Sequence, residues 1–159
     1  MTRTKPTYSS GIATFSDVWE HLAECRESFT PSLSQRVDIR EYSCKLHLNA
    51  ETFEAWDGSR LIGLLAAYFN DPEGVAAFIS SVSVSPDCGK RGIAASLMTM
   101  CIDFASSHGF KQIRLEVSAA NIRAVNLYRR FRFQVNDEGC GLLSMTRDLK
   151  QEESHDDRT

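Results

Sequence analysis

The sequence predicts an α/β protein of the α+β type, built on one mixed sheet with helices packed against it. Strand-like apolar runs separated by turn signals fill the middle of the chain. Helical apolar periodicity precedes and follows these runs. A strand, helix, strand succession then covers residues 75–117, the order that produces parallel pairing within a sheet.

The first element is predicted to be a helix capped by Asp17, because Glu20 follows it at capping-box spacing. Apolar residues then recur at helical intervals until Pro31, which ends the helix. A second helical pattern covers residues 33–48.

Three strands are expected next, at residues 52–57, 61–69 and 75–84. Gly58 lies in an Asp-Gly turn between the first two, and a polar turn at residues 70–74 separates the second from the third. The short connections predict an antiparallel meander.

The later elements begin with a helix whose apolar face runs from residue 93 to 104 and which ends before Gly109. A strand is predicted at residues 113–117, followed by a helix capped by Asn121. Residues 132–148 should supply two closing strands around a turn. We therefore expect one domain over residues 1–149 and a polar, disordered tail over residues 150–159.

Composition excludes several classes of protein. The net charge is −3, which lacks the overall positive field of a nucleic-acid-binding protein, and no apolar run is long enough to span a membrane. The five cysteines include no CxxC pair, so neither a metal site nor a disulfide framework is expected. Reduced thiols are typical of a cytoplasmic protein.

A glycine-containing basic loop connects the third strand of the meander to the following helix. Its glycines allow close backbone approach, its basic side chains add positive charge, and amides at a helix start attract anions. By itself the loop fits a pyrophosphate cradle and an ordinary strand-to-helix turn equally well. The residues concerned are Gly89, Lys90, Arg91, Gly92, Ile93 and Ala94.

Two motifs in this region carry a family resemblance. The Val-Ser-Val-Ser-Pro run at residues 82–86, followed by Gly-Ile-Ala at 92–94, resembles the acetyl-CoA-binding motif (Gln/Arg)-x-x-Gly-x-(Gly/Ala) of the GCN5-related N-acetyltransferases. Asn121-x-x-Ala-x-x-Leu-Tyr128 is similar to the next signature of this GNAT family. The resemblance implies the GNAT fold, with a mixed central sheet of about six to seven strands flanked by about four helices.

The chain departs from the family pattern at two positions. Gly89 occupies the place of the leading Gln or Arg, although Lys90 and Arg91 follow it directly. Arg132 precedes Phe133, where the family usually has glycine, which affects the end of the preceding helix.

The resemblance also implies roles for the cofactor-binding residues. Backbone groups of Val82 and Val84 would pair with the pantetheine arm of acetyl-CoA, and amides of residues 89–94 would hold its pyrophosphate. Asn121 would contact the arm, or serve only as a helix cap. Three further cations, which otherwise form a solvated helix face, would reach the ribose phosphate: Arg123, Arg129 and Arg130.

The same resemblance implies acyl transfer to an amine, with Tyr128 as the acid for the leaving thiolate. Glu116 is the predicted base, as in ribosomal-protein-alanine acetyltransferases, or else orients substrate or structure. Alternatives are a water relay or a contact between the acceptor amine and Glu54, Asp71 or Glu73.

The expected function is acetyl-CoA-dependent N-acetylation of a primary amine on a small molecule or peptide, by direct attack on the thioester. One alternative is a degenerate acyl-CoA-binding regulatory module without turnover, which the glycine at position 89 favours. Another is a nucleotide-binding α/β domain. We expect a monomer or homodimer, with neither nucleic acid nor membrane as partner.

Overall fold

The computed structural model describes residues 5–89 and 91–149, so Lys90 and the predicted tail at 150–159 lie outside the described residues. Within them, seven strands form one mixed sheet in the order β1-β2-β3-β4-β5-β7-β6. The strands are β1 (Thr7–Ser10), β2 (Glu51–Asp57), β3 (Arg60–Tyr68), β4 (Ala76–Val84), β5 (Gln112–Ser118), β6 (Gln134–Gly139) and β7 (Leu142–Asp148). The helices are α1 (Phe15–Glu24), α2 (Leu33–Arg36), α3 (Ile39–Asn49), α4 (Ile93–Ser107) and α5 (Ile122–Arg130).

The predicted mixed sheet with flanking helices is confirmed. Strands β2, β3 and β4 form the antiparallel meander, and β4 pairs with β5 in parallel through the α4 crossover. Strand β1, which pairs with β2, was not predicted because its four residues are mostly polar and show no apolar alternation.

The amino-terminal helices differ from the prediction in two ways. Thr14, and not Asp17, caps α1: the Thr14 hydroxyl accepts a hydrogen bond from the Asp17 amide at 3.1 Å, and the Asp17 carboxylate accepts one from the Thr14 amide at 2.9 Å. The single helix expected over residues 33–48 is two helices, because Val37 is extended and Asp38 caps a new helix.

The sheet opens between β4 and β5. Their parallel pairing runs from Ala76 with Gln112 to Ile79 with Leu115 and then stops, although both strands continue. We call this opening the fork; it lies between residues 80–84 of β4 and residues 116–118 of β5.

A β-bulge marks the point where the fork begins. On the β3 side, Ala67 pairs with Ile79 and Ala66 with Ser81, so Ser80 is the extra residue. The hydroxyl of Tyr42 in α3 donates to the Ser80 carbonyl at 3.1 Å and lies 2.7 Å from the Ser80 hydroxyl. Helix α3 therefore fixes the place where β4 bends away from its neighbour.

Apolar clusters cover both faces of the sheet, one under α4 and α5 and one under α1–α3. Gly63 of β3 allows α4 to pack closely, because a Cβ there would lie 2.6 Å from Cγ2 of Ile93. This contact places the amino terminus of α4 beside the fork. Among the described helices, none is long and apolar enough to cross a membrane.

Candidate active site

The β4 edge of the fork presents unpaired backbone groups. The Ser85 amide donates to the Ile62 carbonyl at 2.8 Å, which makes these two residues a hydrogen-bonded antiparallel pair. Because such pairs alternate along a ladder, the amides and carbonyls of Val84 and Val82 point away from β3 and into the fork. An extended ligand lying in the fork could bond to them as a further strand would.

A groove of about 520 Å³ runs from this edge to the start of α4 and along α5. Its only charged lining residues, within the part of the chain the structure describes, are the cations Arg123 and Arg130, so it suits an anionic ligand. Arg91 and Arg129 do not line it. Seven of the predicted cofactor-binding residues do: Val82, Val84, Gly89, Gly92, Ile93, Ala94 and Asn121.

The first turn of α4 has the features of an anion site. Gly92 precedes it with φ 76°, in the left-handed region that favours glycine, and provides no side-chain cap. The first-turn amides therefore need another acceptor, and no acidic residue lies among them. A Cβ built on Gly89 or Gly92 meets no atom within 4 Å, so open space borders both glycines.

An ion-pair network holds the loop that leads to α4. Arg60 at the start of β3 contacts Glu24 of α1, and its Nη2 lies 3.2 Å from Oδ1 of Asp87 in the loop. Arg60 is also the main reason that the pKa of Asp87 is lowered. The Ser85 hydroxyl donates to the same Glu24 carboxylate at 3.0 Å. Glu24 of α1 therefore holds Ser85 directly and Asp87 through Arg60.

A second concavity, which we call the fork pocket, has a volume of about 380 Å³ and lies between the diverging strands. Residues 28–31 and α2 form one wall, and the β6–β7 turn forms the other. Glu116, Asn121 and Tyr128 all line it. Five residues border both the pocket and the groove, so the two concavities meet there: Ser28, Val82, Asn121, Ala124 and Tyr128.

Tyr128 lies at this junction with 8% of its surface exposed. Burial raises the pKa of its phenol to about 12, so the hydroxyl carries its proton throughout the neutral range. No described residue forms a hydrogen bond with that hydroxyl. A protonated, unbonded donor at the meeting point of two concavities can protonate a leaving group there.

Glu116 and Asn121 flank the same junction. Glu116 is exposed on β5, and its side chain makes no hydrogen bond or ion pair with the described residues, so the carboxylate can bind an incoming group. The Asn121 side-chain oxygen caps α5 by accepting from the Ala124 amide at 3.2 Å, as predicted. Its amide nitrogen has no partner within the described residues, so capping does not prevent a second contact.

The sequence itself shows which family this arrangement represents. The profile of the acetyltransferase (GNAT) family matches residues 15–133, which include the fork, the groove and the tyrosine helix. The chain belongs to this family. Curated proteins provide no significant match.

Solved GNAT-like structures share the fold at low sequence identity. The ribosomal-protein-S18-alanine N-acetyltransferase of Escherichia coli aligns with TM-score 0.71 and 18% identity, over 92% of this chain and 95% of that chain. The PaiA N-acetyltransferase of Thermoplasma acidophilum, in complex with coenzyme A, has TM-score 0.71 and 18% identity over 89% and 99%. YncA of Salmonella typhimurium, with its cofactor acetyl-CoA, has TM-score 0.71 and 15% identity over 94% and 96%.

The departure from the GNAT pattern at position 132 is accommodated by the backbone. Arg132 has φ 69°, the left-handed conformation of a helix-ending glycine. Its amide bonds to the Arg129 carbonyl at 2.9 Å, and the Phe133 amide bonds to the Tyr128 carbonyl at 3.0 Å. This is a Schellman motif, so arginine keeps the geometry at a cost of about 1–2 kcal/mol.

The three carboxylates that the sequence offered as alternative contacts for the acceptor amine lie away from the site. Glu54 is fully buried beneath the β1–α1 connection, and Asp71 caps the β3–β4 turn by accepting from the amides of Glu73, Val75 and Ala76. Those backbone bonds, chiefly that of Ala76, lower the pKa of Asp71. Neither carboxylate lines the groove or the fork pocket, nor does that of Glu73.

Sequence reasoning missed one wall of the fork pocket. Arg36 fell within the predicted second helix and residues 28–31 at the end of the first, and no motif in either place indicated a site. Ser80 and Ser81 also line the pocket, and no sequence motif marked them. The bulge that turns these serines toward the pocket has no sequence signal of its own.

Proposed function

We propose that this GNAT protein is an acetyl-CoA-dependent N-acetyltransferase that modifies a primary amine of a small molecule or peptide by direct attack on the thioester. One observation carries the proposal: two concavities meet at Tyr128, one with anion-binding features and the other containing an unpaired carboxylate. The first suits a phosphorylated donor and the second suits an amine.

Acetyl-CoA is the co-substrate, and the groove fits it. Backbone groups of Val82 and Val84 would bond the pantetheine arm, and the amides around Gly92, Ile93 and Ala94 would bind the pyrophosphate. Arg123 and Arg130 would face the remaining phosphate, and Asn121 the arm. Gly89, Lys90 and Arg91 belong to the same proposed cradle. When bound, acetyl-CoA supplies an acetyl group attached to sulfur, a good leaving group.

Glu116 and Tyr128 would divide the proton transfers between them. An ammonium ion has no free electron pair, so Glu116 would accept the proton that makes the amine a nucleophile. The new bond joins the amine nitrogen to the acetyl carbon, while the carbon–sulfur bond breaks. Tyr128 would give its phenolic proton to the departing sulfur, since burial keeps that proton in place. The newly bonded nitrogen would lose its extra proton to the phenolate, which gives the neutral amide and restores the phenol.

A regulatory module without turnover is the second candidate, because Gly89 lacks the side chain that the family motif places at the start of the cradle. It predicts coenzyme A binding but no release of free thiol with any amine. The five free cysteines support a cytoplasmic location for either function.

The test combines binding and turnover. Coenzyme A should stabilise the protein, by about 2.7 kcal/mol at 100 times Kd, and acetyl-CoA with a panel of amines should release free thiol. Gly92→Ala should weaken coenzyme A binding, because a Cβ would enter the open space before the first-turn amides.

Gly109→Ala is the matched control for that variant. Gly109 also has positive φ and open surroundings, but it ends α4 and lies outside the groove. It should lose a similar amount of stability and keep its affinity. Unchanged melting at millimolar coenzyme A would refute the cofactor assignment.

A further inference from the structure

Two opposite charges face the fork pocket without meeting each other. Arg36 at the end of α2 and Glu116 on β5 are the charged residues of its lining, as far as the structure describes it. Neither side chain forms an ion pair within 4.0 Å with any described residue. A ligand that carries both a negative and a positive group would satisfy them together.

The Arg36 end of the pocket has a second polar feature. Ser81 lines the pocket with only 4% of its surface exposed, and its buried hydroxyl has no hydrogen-bond partner among the described residues. A buried hydroxyl without a partner costs free energy unless a ligand or water bonds to it.

Arg36 and Ser81 lie on the same side of the pocket. Arg36 is the last residue of α2, shortly before α3 begins, and Tyr42 of α3 bonds to Ser80, the chain neighbour of Ser81. Arg36 and Ser81 therefore both belong to the part of the lining next to α3. A cation beside an unpartnered hydroxyl is a suitable environment for a carboxylate.

The opposite end of the pocket is the reacting end. Glu116 lies on β5, and Tyr128 borders the groove where the thioester would arrive. The whole pocket is about 380 Å³, near the lower limit for small-molecule sites. It can enclose one small molecule between Arg36 and Glu116.

We infer that the acceptor is a small amino acid, bound with its carboxylate at Arg36 and Ser81 and its amine at Glu116. This inference rests on the proposed acetyl transfer and narrows its substrate class. Polyamines and neutral amines leave Arg36 without a counter-charge, and a polyamine adds a second positive charge beside it.

The experiment measures kcat/KM for free-thiol release with amino acids, their uncharged carboxamides and their decarboxylated amines. Wild type should prefer at least one amino acid over both of its analogues. Arg36→Gln should lower kcat/KM for that amino acid about 10- to 100-fold and change the carboxamide less than about twofold. Comparing this carboxylate-to-carboxamide ratio between wild type and Arg36→Gln cancels the effect of the different amine basicities.

Two further variants separate recognition from folding. Ser81→Ala removes no protein hydrogen bond and should lower kcat/KM for the amino acid about 3- to 10-fold. Lys45→Gln removes an exposed cation on α3 outside the pocket and should change neither substrate. The preferred amino acid should also raise the melting temperature of wild type in coenzyme A, and this rise should vanish in Arg36→Gln.

The outcomes distinguish the inference from the proposed function. If neutral amines or polyamines are the better substrates, or if Arg36→Gln lowers amino acid and carboxamide equally, the amino-acid assignment is wrong while acetyl transfer stands. If no amine in the panel releases thiol, the proposed function fails and the assignment fails with it.

Discussion

Glu54 and Glu116 belong to strands of the same sheet, and their surroundings are opposite. Glu54 on β2 is fully buried, and its carboxylate accepts from the amides of Ile12 and Ala13 at 3.1 and 3.0 Å and from the hydroxyl of Thr52 at 2.6 Å. Glu116 on β5 is exposed in the fork pocket, and its carboxylate bonds to no described residue.

The difference teaches how this fold separates stability from chemistry. We call the surroundings of Glu54 the closed region. There the carboxylate oxygens of Glu54 accept hydrogen bonds from donors in β1, in β2 and in the loop between β1 and α1. Around the fork, several polar groups make no hydrogen bond with the described chain. They are the hydroxyls of Ser81 and Tyr128, the carboxylate of Glu116 and the free edge of β4. Changes at the fork should therefore affect ligands, and changes in the closed region should affect folding.

The largest effect is expected at the fork. Tyr128→Phe should lower kcat by about 10²- to 10⁴-fold with little change in acetyl-CoA affinity, because the ring packing stays and only the proton donor is lost. Tyr8→Phe, on exposed strand β1, is the control and should leave kcat unchanged. Steady-state and single-turnover kinetics would check this, and wild-type kcat where chemistry limits turnover would remove Tyr128 from the mechanism.

Replacing each of the two glutamates by glutamine compares the closed region and the fork directly. Glu54→Gln should lower the free energy of unfolding by about 3–4 kcal/mol, because an amide nitrogen cannot accept from the buried donors. Glu116→Gln should change it by less than about 0.5 kcal/mol.

Urea denaturation measures both changes in unfolding free energy. In the activity assay, Glu116→Gln should lose turnover, most strongly at low pH where free amine is scarce. Equal effects of the two substitutions on stability would contradict the division between the closed region and the fork.

A buried histidine extends the comparison to pH. His21 of α1 donates from Nδ1 to the Leu61 carbonyl at 3.1 Å and accepts at Nε2 from Ser83 at 3.0 Å. Burial lowers its pKa from 6.5 to about 4. As pH falls, His21 therefore takes up a proton in the unfolded chain at a higher pH than it does in the folded chain. The free energy of unfolding should drop by about 3 kcal/mol between pH 6.5 and 4.

Denaturation at several pH values isolates this effect when wild type is compared with His21→Asn, which keeps a donor for Leu61 but does not titrate. The variant should lose less stability on acidification than wild type. His47→Asn, on the exposed side of α3, should keep the wild-type slope. Parallel pH profiles for His21→Asn and wild type would show that His21 does not cause the loss of stability at low pH.

The smallest effect is expected where α5 ends. Arg132→Gly should raise the free energy of unfolding by about 1 kcal/mol, because glycine adopts the left-handed conformation without steric cost. A rise in melting temperature of about 2–4 °C would measure it. Cys140 also has positive φ, but Cys140→Gly is not a clean control because Cys140 lines the fork pocket. A lowered melting temperature would mean that the Arg132 side chain itself stabilises the helix end.

Local patterns predicted the meander, α4, α5 and their connecting strand, because apolar periodicity and turn residues act over a few positions. The same patterns placed Asn121 as a cap and Gly109 at the end of α4. They failed for β1, whose polar residues show no apolar alternation, and for the break at Val37, because the helical pattern of the sequence continues through it.

Only part of the site could be predicted, because some of its residues are close together in the sequence and others are not. Motif residues such as Gly92 and Tyr128 follow one another along the chain, so their spacing could be read directly. The fork pocket instead combines α2, the β4 bulge and the β6–β7 turn, which are distant in sequence. Only the tertiary fold brings Arg36 to the same cavity as Glu116.

The outer strands of the sheet determine how copies of this chain can associate. Strand β1 has only four residues, and β6 carries exposed Asp137 and Glu138 beside a register irregularity after Val135. Two copies joined edge to edge through β6 would bring these acidic groups together across a distorted strand. Polymerisation by continuing the sheet through β6 is therefore disfavoured.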